Sequence, residues 1–569
     1  MGRWWAALAA LVGAVSLAVI GTTPPAPRAA DAPRGAFSAG RAMADVRAIG
    51  RAPHPTGSVE NARVRGHLIQ RLGSMGLTVR ASGTAMSQAA AERIATRTGA
   101  AIVRPQVVNV VATLAGRDRT RPAVLLMAHY DSVFGSPGAA DDAAGVATAL
   151  ETVRAVVADG QPARDLIVLL TDGEEAGLEG ANAFFAGDPL AGRVGVIVNM
   201  EARGGGGRAS MFETGNDNGA MMRLFQDAVP RPVGTSLSVY IYRHLPNSTD
   251  FTPAKRAGYA GFNFAFIGRA GLYHSPLATP ARLDQGAVQD MGGQVLALTR
   301  ALLAVAVLPG KAPDRSFFDA FGWVLVAYPA EFGWVLFGAT ALLFGAAAWR
   351  ERGGPDVLRG AGATLALILL SGGLLYLVNL VSGADGPVNY YDRLAAIPRL
   401  QVQAGLLCAA ALIAVWAGLA AERRSIAGLA AGAALPMLLI GGVAQWVAPT
   451  VSGVILCPLL LAAIAAVARA FGGARAGAIV GIAAAAIGVG FLFALGFFLM
   501  QAVGPDMPFV AAVPLALVAA LLWPLMPAVV ERRPALRVAG VLVLLAVGIA
   551  LWVRLDPVAE SVATFSLAR

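Results

Sequence analysis

The sequence predicts an α/β domain followed by an all-α domain of membrane-spanning helices. Three observations carry that expectation. Of 569 residues, 56% are hydrophobic and only 14% charged, where soluble domains carry about 25% charge, and the mean hydropathy is +0.62. All five histidines, His54, His67, His129, His244 and His274, precede residue 275, and most carboxylates lie in the same half. After residue 330 the chain divides into eight apolar segments of spanning length. A wholly soluble or a disordered chain is excluded. Cys408 and Cys457 sit in apolar runs, so they read as small buried residues, and the polar half has no disulfide framework.

From the N-terminus, Arg3 precedes an apolar run at 4–20 and a Pro/Ala-rich stretch at 22–33. That order is an export signal. We read it as a retained anchor rather than a signal peptide cleaved near 29–32. The expected organisation is an anchor or signal peptide at 1–22, a linker at 23–44, an exported domain at 45–310, a juxtamembrane segment at 311–331, an eight-helix membrane domain at 332–555 and an exported tail at 556–569.

The eight segments lie at 332–349, 361–381, 401–421, 426–447, 450–468, 477–501, 508–530 and 536–553, and none has an ionisable residue in its interior. The loops set the topology. Arg350, Arg352, Arg359, Arg423, Arg424, Arg469, Arg475, Arg532, Arg533 and Arg537 fall on one side, against Arg393, Arg399, Arg554 and Arg569 on the other. The positive-inside rule puts the ten in the cytoplasm. Nine spans then follow, with Arg3 inside and 22–331 outside. The net charge of +10 is thereby largely a topology signal. No Lys/Arg cluster is interleaved with aromatics, which excludes a nucleic-acid partner. The partners expected are a peptide and the lipid bilayer; the oligomeric state stays open. Only Lys255 and Lys311 are lysine, an Arg-rich bias that points to a GC-rich, bacterial genome.

Within 45–310, short β-branched runs alternate with helical stretches. Strands are expected at 107–114, 123–128, 166–170, 194–198, 209–212 and 261–266, and helices at 142–158 and 179–186. Polar residues follow the strands: His129-Tyr-Asp131, then Glu174-Glu175, then Glu201. Sites in open α/β sheets form at the carboxyl ends of strands. A loop with Asp141-Asp142 leads into one helix, and Tyr273-His274-Ser275 comes near the domain's end. Taken singly, each has a bland reading: a surface histidine, a carboxylate at a helix start, an N-cap. Taken together, two histidines and several carboxylates at strand ends are the ligand set of a divalent metal, zinc above all.

The motifs HYDSV (129–133), GAADDAAG (138–145), TDGEEAGLEGA (171–181), NMEARG (199–204) and YHS (273–275) stand in the order and spacing of zinc peptidases of family M28, which the region 45–300 resembles. His54-Pro-Thr-Gly-Ser58 with Asn61 looks like the start of that domain. An N-terminal span and a multi-span C-terminal half resemble the membrane-anchored branch, the endoplasmic-reticulum metallopeptidases and fungal vacuolar membrane proteases. The resemblance implies a three-layer zinc-exopeptidase-like fold with a mostly parallel central sheet, and two zinc ions. His129 and Glu201 would hold one ion, His274 and Glu175 the other, and Asp141 would bridge. Asp131 would steady the His129 ring, Glu174 would be the general base, and Tyr273 would polarise the scissile carbonyl. The expected activity is an aminopeptidase-type hydrolysis on the outer face, which in a bacterium is the periplasm or cell exterior. The alternatives are an inactive M28-like domain that binds a ligand or partner, and a single-zinc acyl or cyclase chemistry.

One departure stands out. Relatives often carry an Asp soon after YHS, whereas here the next carboxylate is Asp284, so His274 must draw support from elsewhere. His54 reads as structural, His67 as part of a solvated helix face, and His244 as part of a substrate-side loop that ends at Asp250. Gly204–Gly207 lacks the residues of a phosphate loop.

Overall fold

The computed structural model describes residues 2–99, 101–386, 390–419, 425–527 and 531–556. Arg423, Arg424 and the tail from 557, with Arg569, lie outside the described residues.

The α/β domain is built on seven strands: β1 (Thr78–Ala85), β2 (Gln106–Leu114), β3 (Ala123–His129), β4 (Leu166–Thr171), β5 (Val194–Ala202), β6 (Gly206–Thr214) and β7 (Ala260–Gly268). Their order across the sheet is β1-β2-β4-β3-β5-β7-β6. The four central strands β4, β3, β5 and β7 run parallel, and the flanking pairs are antiparallel. Both faces of the centre are covered, which is why AVLLMAH and LIVLLT read as unbroken apolar runs. Helices Ala39–Ile49, Val59–Ser74, Ala143–Asp159 and Gln285–Ala304 pack on one face through Val46, Leu68, Leu150 and Val295. Glu179–Gly187 and Phe251–Arg256 cover the other through Phe184 and Phe251. The result is the expected three-layer domain. All six expected strands form; β1 joins them as an edge strand whose sequence TVRASGTA has little apolar signal.

β8 (Arg315–Ala320) and β9 (Val324–Pro329) form a hairpin in the juxtamembrane segment. It lies against the helical domain: the Phe318 ring stands 5.2 Å from that of Phe491, and Ser316 Oγ donates to the Pro449 carbonyl at 3.2 Å.

Helices long and apolar enough to cross a membrane are Trp5–Thr22, Ala330–Arg350, Gly354–Ala384, Ile397–Leu419, Ile426–Val447, Gly453–Ala502, Pro508–Leu525 and Arg532–Leu555. Leu342, Leu369 and Trp446 are 76%, 77% and 79% exposed on them. Apolar side chains facing outward suit a lipid surroundings, not water. The 50-residue helix Gly453–Ala502 is broken at Gly473, whose φ of 81° and ψ of −175° are not helical. A Cβ on Gly477 would stand 2.7 Å from the Arg469 Cα, a separation that only a reversal permits. The segment is a hairpin of two limbs, 453–472 and 474–502, and so carries the two spans expected at 450–468 and 477–501. The N-terminal helix docks on the second limb, where Gly13 faces Ala486 and Gly490 faces Ala14. Small residues there let the backbones approach closely.

The loops gather at two ends. Glu351 accepts from Ser425 Oγ at 2.9 Å and lies 3.8 Å from Arg469 at one end. At the other, Arg399 pairs with Asp556 at 3.0 Å, Arg554 with Asp385 at 3.3 Å, and Ser236 of the α/β domain donates to the Thr450 carbonyl at 2.6 Å.

Candidate active site

Four parallel strands end on one edge of the sheet and deliver the site. β3 ends at His129, β4 leads through a turn to Glu174 and Glu175, Glu201 lies near the end of β5, and the chain after β7 turns back to His274. The loop after β3 adds Asp141, joined to Asp142 by a cis peptide bond. The two aspartates divide their work: Asp142 accepts from Gly145 N at 3.1 Å and caps the following helix, which leaves Asp141 to face the histidines.

Donor atoms of His129, Asp141 and Glu201 lie within 4.8 Å of one another, as do those of Asp141, Glu175 and His274. Asp141 belongs to both triplets. Its Oδ1 lies 3.1 Å from His129 Nε2 and its Oδ2 3.3 Å from His274 Nε2. Glu201 is 3.8 Å from His129 Nε2, and Glu175 3.1 Å from His274 Nε2. His129, Asp141, Glu175, Glu201 and His274 are therefore gathered in one cluster. Glu174 is beside them; a further triplet within the same limit joins it to His129 and Glu175.

Asp131 lies against both the His129 ring and the diglutamate turn. His129 Nδ1 lies 3.1 Å from the Asp131 main-chain oxygen and 3.5 Å from its carboxylate. That carboxylate accepts from the main-chain N–H of Glu174 at 3.1 Å and of Glu175 at 3.2 Å. One residue thus faces the ring with its main-chain oxygen and its carboxylate, and holds the diglutamate turn with the same carboxylate. Below it, Asp172 accepts from Thr56 at 2.9 Å and Asn61 at 3.1 Å, so the 54–61 segment braces the same turn.

Charge is crowded here. Burial, then the nearby carboxylates of Glu201 and Glu175, raises the Glu174 pKa well above the carboxylate range. Burial pushes the Glu201 carboxyl up to about 8 and Asp250 up to about 6. Burial works against charge on His129 and His274, but the adjoining carboxylates outweigh it and raise both well above the ordinary histidine value. Burial likewise opposes charge on Asp141, yet hydrogen bonds from both histidines hold it down at about 2. Four carboxylates, Glu201 buried and Asp141, Glu174 and Glu175 partly so, facing two imidazoles leave surplus negative charge, which low-polarity sites neutralise by pairing or by a metal. The donor set, imidazole nitrogens and carboxylate oxygens, is one that zinc takes.

A cavity of about 540 Å³ opens beside these groups. Asp141, Glu174, Glu175, Glu201 and Tyr273 line one end. Phe212, Leu237, Ile241 and Tyr242 of the α/β domain line its flank, and Phe491, Leu495, Phe498 and Leu499 of the 474–502 limb form an apolar wall. The loop 245–249 also lines it. His244 itself ends the preceding helix, with Nδ1 2.8 Å from the Tyr240 carbonyl oxygen. Tyr273 stacks on His274 with ring centres 3.8 Å apart. His274 has a φ of 51°, a left-handed conformation that costs a non-glycine residue about 1–3 kcal/mol.

His54 is fully buried under the site, and burial lowers its pKa. His67 corrects the sequence reading: it is half-buried, with Nε2 3.1 Å from Asp45, and ties two helices together. Residues the sequence did not single out also reach the site. Arg203 lines the cavity and donates to the Ala502 carbonyl at 2.9 Å and to the Tyr390 hydroxyl. Tyr391 Oη lies 2.9 Å from His274 Nδ1. Both tyrosines come from the helical domain, more than 110 residues beyond His274 in sequence, and no local pattern marks them.

Fold and site together define a class: a three-layer α/β domain with a cluster of two histidines and several carboxylates at its strand ends, borne on a helical domain of membrane-length helices. Residues 109–299 match the model of peptidase family M28, and the motifs at 129–133, 138–145, 171–181, 199–204 and 273–275 lie inside that stretch. The chain is 31% identical over 238 residues to endoplasmic reticulum metallopeptidase 1 of Mus musculus, covering 40% of this chain and 26% of the relative. It is 29% identical over 306 residues to the vacuolar membrane protease of Eremothecium gossypii, covering 51% of this chain and 29% of that one. The match thus spans under a third of either relative. Among solved structures, the aminopeptidase from Aneurinibacillus sp. strain AM-1 aligns at a TM-score of 0.38 and 15% identity, covering 48% of this chain and 95% of that one.

Proposed function

We propose that this protein is a membrane-bound dizinc peptidase of aminopeptidase type, acting on the outer face of the membrane. The observation that carries the reading is the pair of triplets that share Asp141, with Glu174 beside them at the end of a cavity. His129, Glu201 and Asp141 would hold one zinc ion, and His274, Glu175 and Asp141 the other. Bound there, zinc supplies Lewis acidity and brings the pKa of water toward neutrality. Glu174 is the general base. Held at its backbone by Asp131, it takes the proton of the attacking water and passes it to the leaving amine. Tyr273, packed on His274, presents its hydroxyl to the scissile carbonyl oxygen. The apolar wall favours large apolar side chains beside the scissile bond, and a cavity within the usual ligand-site range of about 300–1,000 Å³ favours a chain end over a passing strand.

The outer-face placement is supported by the arginine-rich loops lying at the helix ends away from the α/β domain. The lysine-poor composition supports a bacterial host, where that face is the periplasm or exterior.

The test uses the full chain in detergent with leucyl, aspartyl and N-acetyl-leucyl reporters. The leucyl reporter is expected to be hydrolysed fastest, with activity lost on chelation and restored by zinc. Purified protein without zinc, or hydrolysis indifferent to chelator, refutes the metallopeptidase reading. Equal cleavage of the N-acetylated reporter refutes the aminopeptidase mode.

A further inference from the structure

We propose that the membrane domain completes the metal site, with Tyr391 as the positioning residue that holds His274. This rests on the dizinc reading above. The α/β domain supplies no carboxylate soon after His274, as Pro276 to Leu283 contain none. The structure places Tyr391 there instead, with Oη 2.9 Å from Nδ1. With Nε2 turned toward Glu175 and Asp141, Nδ1–H donates to the tyrosine oxygen. That bond sets both the tautomer and the ring orientation, which metal-binding histidines require of a partner.

A separate observation points the same way. The turn Ala270–Leu272, which leads into Tyr273 and His274, rests on the helix Tyr390–Ala395. A Cβ on Gly271 would lie 2.8 Å from the Ala395 Cα, and Ala270 is buried with Leu394 and Ile397. The left-handed backbone at His274 persists because packing on the membrane domain determines it. The helix is in turn anchored: Arg393 donates to Asn379 Oδ1 at 2.7 Å, to Ser382 Oγ at 3.0 Å and to the Pro505 carbonyl at 2.9 Å. A continuous chain of contacts therefore runs from the end of the Gly354–Ala384 helix and the turn at Pro505, through Arg393, to the ligand.

The test compares wild type, Tyr391→Phe and the distal control Tyr376→Phe as full chains in detergent. Four quantities are read: zinc per chain after dialysis against graded chelator, kcat, KM, and melting temperature. Loss of a ligand's partner lowers metal affinity or activity about 10–100-fold. Tyr391→Phe is expected to give up one zinc at about 10–100-fold lower chelator strength. Its kcat should fall, with KM and melting temperature unchanged, while Tyr376→Phe matches wild type. Zinc retention and kcat within twofold of wild type overturn the assignment. So does a variant whose only change is a lower melting temperature, which marks a structural role. If wild type holds two zinc ions yet cleaves no peptide, the peptidase reading fails while the zinc comparison still decides the role of Tyr391. Wild type that takes up no zinc overturns both.

Discussion

Replacing Glu174 by Gln separates a general base from a metal ligand. The amide has the same length, and the Glu174 N–H would still donate to Asp131 at 3.1 Å, so the side chain keeps its place. What disappears is the proton acceptor. Positioned general bases contribute about 10²–10⁴-fold, which at about 1.36 kcal/mol per factor of ten is about 3–5 kcal/mol of transition-state stabilisation. Steady-state kinetics on the leucyl reporter should show kcat lower by that factor and KM nearly unchanged. Zinc content should stay at the wild-type value, because neither triplet that shares Asp141 includes Glu174. The third grouping, with His129 and Glu175, makes the opposite outcome informative: loss of zinc would identify Glu174 as a ligand. Retention of most of kcat would dispose of it as the base. The metal-free variant should melt no lower than wild type, since a buried carboxyl crowded by Glu201 and Glu175 is replaced by a neutral group.

Two further outcomes follow from the same geometry. Asp131→Ala removes the acceptor of two backbone N–H groups and the carboxylate near His129; it should lower both kcat and zinc retention about 10–100-fold, and unchanged zinc titration would contradict that role. In metal-free protein, Glu201 titrates near 8 when folded against 4.5 in its unperturbed state, so the folded form binds more protons between those values. Stability should then fall as pH rises from about 4.5 to about 8 and level off above, and Glu201→Gln should flatten the slope seen in thermal melts.

Much of the site was legible because its ligands follow strands. Apolar runs such as AVLLMAH and VGVIVNMEA end in the residues that matter, and parallel strands put their carboxyl ends on one edge by topology alone. The first strand was not legible, since TVRASGTA on an exposed edge carries no apolar alternation. His67 was misread for a related reason. Its helix neighbours Arg63 and Arg65 look solvated in sequence, but Asp45 arrives from another helix. The break at Gly473 falls between two expected apolar segments, where arginines at 469 and 475 flank the hairpin.

The sequence by itself determined the layers, the spans, the candidate ligands and the segregation of arginine, because each is a local property of composition, periodicity or order. Tertiary structure alone decided what supports His274 and what walls the cavity. Tyr391 reaches His274 across 117 positions, and Phe491 and Phe498 line the same cavity as Glu174 only because a membrane limb packs beside the α/β domain. Contacts of that kind depend on how two independently patterned domains dock, and docking leaves no period in either sequence.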